Sequence, residues 1–333
     1  MSLTPKTPIP EGAIRFNTDS NKMEVWIGDK WMQVAVSSPN LDGGARGLFG
    51  GGYVAPGADV DVIQFVTIST TGNATDFGDL TGVRRGLGAC ASSTRAVFGG
   101  GIGPSVTNVL DFVAISSTGD AQDFGDLVTA LRQKAGLSNA TRGIFSGGYT
   151  PTPSTSFKDE IDHITIASTG DAKDFGNLGA VRSGQGNCSN PTRGLFVGGT
   201  SPSGNFNVIE FVTISTLGNA QDFGDLAEVG GGRGVCSNSI KGVFGGGYSP
   251  SNLSGIQQIN IATLGNSFLF GDLIAANKTL TALSSSTRAV FGGGLSDVIQ
   301  FVVFATDGDA VDFGDLLASN QQLSGASNGH GGL

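Results

Sequence analysis

The chain has 333 residues, of which 55 are Gly and 14% are charged, and its net charge is −9 at pH 7. This composition is typical of a turn-rich folded protein, and the negative charge opposes binding to the phosphates of nucleic acid. Residues 298–305, the longest apolar stretch, are too few to span a membrane, and the N-terminus lacks the pattern of a signal peptide. We therefore expect a folded protein that binds no nucleic acid, inserts into no membrane and is not exported by a cleaved signal.

Residues 1–40 differ from the rest of the chain and are predicted to form a separate domain, followed by a second domain over residues 41–333. Three short β patterns cover residues 13–17, 22–27 and 31–36 and predict a β-meander that ends in a linker at 37–40. So small a sheet cannot bury its large apolar residues alone, so we expect it to pack on the other domain or on another chain. The candidate anchor residues are Ile14, Phe16, Met23, Trp26, Trp31 and Met32.

The second domain is built from a unit of about 47 residues that occurs six times, and a period of this length indicates blades, solenoids or arrays. Each copy has a Phe followed by a Gly-rich run, at Phe49, Phe98, Phe145, Phe196, Phe244 and Phe291. Each copy also has the sequence Asp-Phe-Gly-Asp-Leu or a close variant, which begins at Asp76, Asp123, Asp174, Asp222, Leu269 and Asp312. The repeat therefore predicts the fold before any single residue is considered.

Every copy is predicted to form four short strands, which the second copy places at residues 86–91, 95–98, 110–115 and 121–127. Four-stranded units of this length are typical of a β-propeller, and six of them would close a ring. The first copy lacks a first strand, whereas the C-terminal residues 323–328 match the first strands of other copies. We therefore predict an all-β protein, a six-bladed β-propeller closed by its C-terminal strand and preceded by the short meander.

Residues 41–333 resemble the kelch-type propellers. The resemblance is carried by the glycines that end the second strand, by the apolar third strand, and by a basic residue after the fourth strand at Arg84, Arg132 and Arg182. The chain departs from the kelch pattern in having three glycines in most copies and Phe in place of the fourth-strand Trp. The resemblance implies the fold and the closure of the ring, and it implies no defined activity.

The charged residues that recur in every copy are interpreted as structural. We expect Asp76 and its counterparts to accept backbone N–H groups at a turn, and Arg46, Arg95, Arg142, Arg193, Lys241 and Arg288 to pair with such acids. Cys90, Cys188 and Cys236 share one repeat position that holds Leu elsewhere, which favours a small core residue over redox chemistry. His163 replaces a third-strand Phe. No catalytic residue, cofactor or metal ligand is predicted, although a calcium ion at an Asp/Gly turn stays open.

The loops after the Gly-rich runs differ between copies, and such repeat-specific loops are where repeat proteins usually bind their ligands. Tyr53, Tyr149 and Tyr248, which are all the tyrosines of the chain, open three of these loops. Two interpretations stay open: the tyrosines form a binding face, or each covers the glycines beside it. The candidate binding face comprises Tyr53, Tyr149, Tyr248, Asp59, Asp61, Phe157, Asp159 and Glu160.

The run Gly-Ala-Ile-Arg-Phe-Asn-Thr-Asp at residues 12–19, followed by Trp26 and Trp31, resembles a hairpin of bacteriophage tail fibres and other virion proteins. Proteins of that kind also carry propeller modules of the Asp-Phe-Gly-Asp-Leu type. The resemblance implies a non-enzymatic virion structural protein, made in the host cytoplasm and located on the virion surface. Its N-terminal segment would attach it to other virion proteins. Its propeller would bind a host-surface glycan or protein, or decorate the capsid or tail.

Two other classes of function stay open at this point. A propeller enzyme acting on polysaccharide would need a carboxylate pair from unlike repeats, and Asp59, Asp61, Asp159 and Glu160 are its candidates. An intracellular adaptor for protein–protein interaction is the other alternative. The sequence does not predict the ligand, the location on capsid or tail, or whether the protein forms a homo-oligomer on the particle.

Overall fold

The computed structural model describes residues 9–17, 22–33 and 45–333. All regular structure in these ranges is β, and every paired strand is antiparallel to its neighbours. No helix capable of crossing a membrane occurs among the described residues. The chain divides into two units, Met1–Asp42 and Gly43–Leu333.

The first unit contains a three-stranded sheet of β1 (Ile14–Asn17), β2 (Lys22–Ile27) and β3 (Lys30–Gln33), in the order β1-β2-β3. The predicted meander is therefore present. The third strand begins one residue earlier than predicted, and its predicted end at residues 34–36 lies outside the described residues, as does the predicted linker at 37–40.

The second unit contains six four-stranded sheets, one for each repeat, which we call sheets 1 to 6. Within each sheet the strands are named first to fourth in the order in which they pair. Sheet 1 consists of Ser324–Ser327, Arg46–Gly50, Val62–Thr67 and Thr75–Asp79, and sheet 2 of Gly88–Ala91, Arg95–Gly99, Val109–Ala114 and Gln122–Asp126. Sheet 3 consists of Ala135–Ser138, Arg142–Ser146, Glu160–Thr165 and Lys173–Asn177, and sheet 4 of Gly186–Ser189, Arg193–Val197, Val208–Thr213 and Gln221–Asp225. Sheet 5 consists of Gly234–Ser237, Lys241–Gly245, Leu253–Asn260 and Phe268–Asn277, and sheet 6 of Leu280–Ser284, Arg288–Gly293, Val298–Val303 and Val311–Asp315.

Short two-residue strands extend three of the loops between second and third strands. Tyr53–Val54 pairs with Ala58–Asp59 and also with Asn320–Gln321, while Tyr149–Thr150 pairs with Ser156–Phe157 and Thr200–Ser201 with Gly204–Asn205. We call these loops the hairpins of sheets 1, 3 and 4. They stand at the end of each sheet where the variable loops were predicted.

Sheet 1 is assembled from two distant parts of the chain. Ser324–Ser327 pairs with Arg46–Gly50 in continuous register, from Ser324 opposite Gly50 to Ser327 opposite Gly47. The predicted pairing of the C-terminal strand with the first repeat is thereby confirmed. The pairing also covers a strand edge that would otherwise expose its backbone N–H and C=O groups.

The apolar cores lie between successive sheets. Phe98 of sheet 2 is fully buried together with Leu48 and Phe77 of sheet 1. Corresponding clusters lie between each following pair, and the last one joins Phe313 of sheet 6 to Phe49 of sheet 1. Each Phe that precedes a Gly-rich run therefore contacts a neighbouring sheet, and its burial contributes about 2–3 kcal/mol.

The Gly of the recurring Asp-Phe-Gly-Asp sequence lies where the backbones of two successive repeats approach closely. Gly78 has φ 146°, and a Cβ there would lie 2.4 Å from the carbonyl oxygen of Gly119 in the next repeat. The same approach lets the Gly119 N–H donate a hydrogen bond of 2.7 Å to the Phe77 carbonyl. A larger residue would separate the two sheets, which explains why Gly recurs at this position of the Asp-Phe-Gly-Asp sequence.

Buried ion pairs connect three third strands to the preceding linkers. Arg84 contacts Asp111 at 2.6 Å and Lys134 contacts Asp162 at 2.8 Å. A third pair joins Arg182 to Glu210. Sheets 5, 6 and 1 hold an amide at the same position, in Gln257, Gln300 and Gln64. In the third repeat the ion-pairing cation is Lys134 and not Arg132, the residue that the kelch-like pattern grouped with Arg84 and Arg182.

The expected roles of the recurring arginines and aspartates were wrong. Arg95 donates to the carbonyls of Ile166 and Ala167 in the next sheet, and its guanidinium lies 4.7 Å from the centre of the Phe112 ring. Its counterparts Arg46, Arg142, Arg193 and Arg288 also donate to carbonyls, and only Lys241 lies near an acid, Asp307, at 3.6 Å. Asp76 and its counterparts are exposed, and the turn residue that accepts a backbone N–H is instead Asp120 or its equivalent.

The cysteines lie in the cores, as predicted. Cys90, Cys188 and Cys236 are free and buried. Burial raises the pKa of Cys188 to about 12, and it raises the pKa of the other two thiols as well. Such thiols stay protonated at neutral pH and are poor nucleophiles. His163 occupies the expected aromatic position, with its ring centre 5.9 Å from that of Phe175.

Candidate functional site

The N-terminal sheet presents an apolar face. Phe16 pairs with Met23, and Val25 lies between Ile14 and Met32. Because alternate residues of a strand point to the same face, one face carries six apolar side chains. They are Ile14, Phe16, Met23, Val25, Ile27 and Met32, and five of them are between 40% and 64% exposed. We call this set the apolar face.

The opposite face of the same sheet is polar and aromatic. Trp26 and Trp31 meet edge to face with their ring centres 5.3 Å apart, and the Arg15 guanidinium lies 4.3 Å from the centre of the Trp31 ring. Arg15 also pairs with Glu24 at 2.7 Å. Hydrogen bonds from Asn17 and from Arg15 lower the pKa of the Glu24 carboxyl.

The six candidate anchor residues are thus divided between the two faces. Ile14, Phe16, Met23 and Met32 lie together on the apolar face, whereas the two tryptophans lie on the other. Sequence reasoning missed Val25 and Ile27, although their alternation with Met23 was a readable signal.

At one end of the six-sheet unit, six linker residues form a closed series of backbone hydrogen bonds. Each N–H donates to the carbonyl of the preceding member, and the N–H of Gly86 donates to the carbonyl of Gln322. The members all have positive φ and are Gly86, Gln133, Gly184, Gly232, Thr279 and Gln322. A cavity of about 170 Å³ begins inside this series and is lined by the first strands of all six sheets. We call the series the mouth of the cavity.

Three members of the mouth carry side chains in the left-handed backbone region, which costs residues other than Gly about 1 kcal/mol or more. These are Gln133, Thr279 and Gln322, with φ of 54°, 56° and 56°. Gln133 and Gln322 flank Gly86, since a Cβ on Gly86 would lie 3.5 Å from the Gln133 Cγ and 3.5 Å from the Gln322 Oε1. Two amide side chains therefore stand together on one side of the mouth.

Two arginines lie beside these amides. Arg132 donates to Gln322 Oε1 at 2.8 Å, and its guanidinium lies 5.4 Å from the centre of the Tyr149 ring. Arg85 pairs with Asp59 at 2.7 Å and lies 4.9 Å from the centre of the Tyr53 ring. In the part of the chain that the structure describes, Arg132 has no carboxylate at ion-pair distance. Burial lowers the pKa of Arg132, although an arginine remains charged at neutral pH.

The predicted binding residues fall into three groups. Tyr53 and Asp59 pair across the hairpin of sheet 1 and both contact Arg85. Tyr149 stacks on Phe157 with ring centres 5.2 Å apart and also faces Arg132. Tyr248 is 45% exposed, its backbone carbonyl accepts a hydrogen bond from the Asn205 side chain, and the Lys278 Nζ lies 4.5 Å from its ring centre.

The remaining candidates lie at the junctions between hairpins and strands. The backbone carbonyls of Asp61 and Asp159 accept hydrogen bonds from Leu80 and Leu178, and Glu160 begins the third strand of sheet 3. Sequence reasoning missed Arg85, Arg132 and Lys278 as ring partners of the tyrosines. The available signal was that a basic residue directly precedes the mouth residue in those three repeats.

The C-terminal tail crosses the other end of the cavity. His330 Nε2 lies 2.8 Å from the Ala91 carbonyl oxygen, and the Gly331 N–H donates to Ser237 in a different sheet. A Cβ on Gly332 would lie 1.9 Å from the Ser138 carbonyl oxygen, so only Gly fits there. Burial lowers the pKa of His330. The cavity is therefore open at the mouth and obstructed at the opposite end.

No group of three His, Cys, Asp or Glu side chains in the described ranges is arranged to hold a metal ion. Compared with known proteins, the chain matches no family model and no curated protein. Two surfaces of the molecule, the apolar face and the mouth, are therefore the candidates for its function.

Proposed function

We propose that the six sheets are the blades of a closed, kelch-like six-bladed β-propeller. Three observations support this proposal: the closed series of hydrogen bonds at the mouth, the core between sheets 6 and 1, and the pairing of Ser324–Ser327 with Arg46–Gly50. Four-stranded units packed around a central channel are the defining geometry of a propeller.

The protein acts as a non-enzymatic structural component of a bacteriophage virion. The observation that carries this proposal is the apolar face, because a contiguous set of exposed apolar side chains marks a surface for another protein. The occupant is another virion protein with an apolar surface of its own. The resemblance of residues 12–19 to tail-fibre hairpins supports the same assignment.

The propeller is the displayed part of this component. Its repeat-specific side chains lie at the mouth and on the hairpins, where the arginines, tyrosines and amides converge. This surface engages a glycan or protein of the host, or decorates the capsid or tail. The protein reaches its place on the virion surface after synthesis in the host cytoplasm.

The attachment role is tested by incorporation into particles. The double variant Phe16→Ser/Met23→Ser replaces two adjacent residues of the apolar face, and we expect it to be depleted from purified virions at least about tenfold, as loss of central apolar contacts predicts. The measurement is quantitative mass spectrometry of particles made in cells that supply only the variant.

Leu217→Ser is the matched control, because Leu217 is 61% exposed but belongs to the six-sheet unit. It should enter particles in the normal amount. Normal incorporation of the Phe16→Ser/Met23→Ser chain would contradict the attachment role, and absence of the unaltered chain from virions would contradict the virion assignment itself.

A further inference from the structure

We infer that the mouth of the cavity binds the carboxylate-bearing end residue of an acidic saccharide. Arg132 holds the carboxylate, and the side-chain amides of Gln133 and Gln322 bind neighbouring hydroxyl groups. This inference rests on the proposed function in one respect, that the six-sheet unit is a ligand-binding module.

The charges around the mouth select a single carboxylate. Arg85 is already neutralised by Asp59 at 2.7 Å, whereas Arg132 donates to the neutral Gln322 amide and faces the Tyr149 ring. A guanidinium with its cationic edge unpaired matches the planar geometry of a carboxylate. The net charge of −9 opposes a polyanionic ligand such as nucleic acid. Within the described chain, Arg132 is thus the cation beside Gln133 and Gln322 that no carboxylate neutralises, which favours a ligand whose negative charge is localised in one carboxylate.

The amides provide the second part of the argument. Gly fills three of the six mouth positions, so the fold accepts Gly there, yet Gln133 and Gln322 keep a side chain despite their left-handed backbone. Their Oε1 atoms accept from Ser183 and Arg132, and within the described chain neither Nε2 donates a hydrogen bond. A residue that keeps a costly left-handed backbone conformation, and whose side-chain amide donates no hydrogen bond, is a candidate for binding a ligand. Amide donors next to an arginine suit the hydroxyls that flank a sugar carboxylate.

The shape of the cavity favours the end of a saccharide over its interior. The tail residues His330 to Gly332 obstruct the far end, so a ligand can enter only through the mouth. Gln133 and Gln322 line the cavity of about 170 Å³, whereas Arg132 is not part of its lining. The end residue therefore sits at the mouth, between the amides and Arg132, and a continuous chain would have to pass through the obstructed end. Tyr53 and Tyr149 stand on the same side of the mouth as the arginines and flank the approach.

The test measures binding of the full chain to oligosaccharides that end in glucuronic, galacturonic or sialic acid, each compared with its carboxyl-reduced form. We expect titration calorimetry to show binding of at least one acidic oligosaccharide and a loss of about tenfold or more on carboxyl reduction, as a charge-assisted pair predicts. Arg132→Gln should lose the same factor. Lys278→Gln is its matched control, since Lys278 also lies on a tyrosine ring but beside Tyr248, and it should bind normally.

A second variant separates binding from folding. Gln133→Gly places Gly at positive φ, so it should fold with an unfolding temperature close to that of the unaltered chain. It should nevertheless weaken binding. Equal affinity for acidic and reduced oligosaccharides, or unaltered binding by both Arg132→Gln and Gln133→Gly, would overturn the inference. A chain that enters virions but binds none of the panel would overturn the acidic-saccharide site and leave the proposed function standing.

Discussion

The N-terminal sheet and the six-sheet unit both place apolar residues at alternate strand positions, but they cover them differently. Phe98 lies in a core between sheets 1 and 2 and is fully buried, whereas Phe16 is 56% exposed on the apolar face. In the six-sheet unit each repeat supplies the surface that its neighbour needs. Among the described residues the N-terminal sheet occurs once, so no second copy covers its apolar face. The same alternation thus builds a core in one unit and an exposed apolar face in the other.

The largest effect should come from deleting a phenylalanine in the covered unit. Phe98→Ala removes a fully buried ring and should lower the free energy of unfolding of the six-sheet unit by about 4 kcal/mol, because a cavity remains. Chemical denaturation measures this change. Phe16→Ala is the counterpart in the N-terminal sheet, and it should leave the same transition unchanged. Equal effects of the two substitutions would break the comparison.

The next largest effect should come from breaking a buried ion pair of the six-sheet unit, which is compared with an exposed Arg–carboxylate pair of the N-terminal sheet. Asp111 is fully buried and accepts from Arg84, from the Thr81 hydroxyl and from the Thr81 N–H. Asp111→Ala should lower the free energy of unfolding by about 3 kcal/mol, because it leaves a buried guanidinium unpaired.

Glu24→Ala is the matched substitution in the N-terminal sheet. It breaks the pair with Arg15, whose side chain is 46% exposed, and solvent screens such a pair. We expect no measurable change in the unfolding of the six-sheet unit. A small effect of Asp111→Ala in the same denaturant titration would show that the buried pairs contribute little.

The smallest effect should come from a substitution that tests whether the repeats share one core design. His163→Phe restores the ring that four other repeats hold, and it should raise the free energy of unfolding at pH 7 by about 1 kcal/mol, because Phe needs no hydration. Burial, together with the charge of Arg142, lowers the pKa of His163 below 6.5. The unfolded chain therefore binds the proton more readily, and stability falls as the pH decreases from about 6.5 towards the folded-state pKa.

His163→Phe removes that part of the pH dependence. The difference in unfolding free energy between the variant and the unaltered chain should be larger at pH 5 than at pH 7, as measured by denaturation at both values. His330, whose pKa burial also lowers, is present in both proteins and cancels from the difference. An unchanged difference between the two pH values would contradict this account.

The repeated features were predictable because their signals are local. The second strand of sheet 2 was predicted at residues 95–98 and is Arg95–Gly99, and the third was predicted at 110–115 and is Val109–Ala114. Turn residues and alternating apolar residues within one repeat are enough to place such strands. The absence of a first strand in the first copy likewise predicted the pairing of Ser324–Ser327.

The mouth was not predictable, since it is built from residues that are far apart in the chain. Arg132 and Gln322 are 190 positions apart and meet only because their linkers lie side by side. The sequence likewise did not show that Lys134 pairs with the buried Asp162, because the conformation of the linker sets which side chain points inward and the repeat period does not determine it.

The pairing of Ser324–Ser327 with Arg46–Gly50 also determines the order in which the protein can be completed during synthesis. Sheets 2 to 6 each consist of one continuous stretch of chain and can form as they leave the ribosome. The other three strands of sheet 1 are made before those of any other sheet. Its first strand, Ser324–Ser327, is made only when nearly the whole unit has been translated. Until then the edge of Arg46–Gly50 that Ser324–Ser327 covers is unpaired, so release of a truncated chain would leave an exposed strand edge open to aggregation.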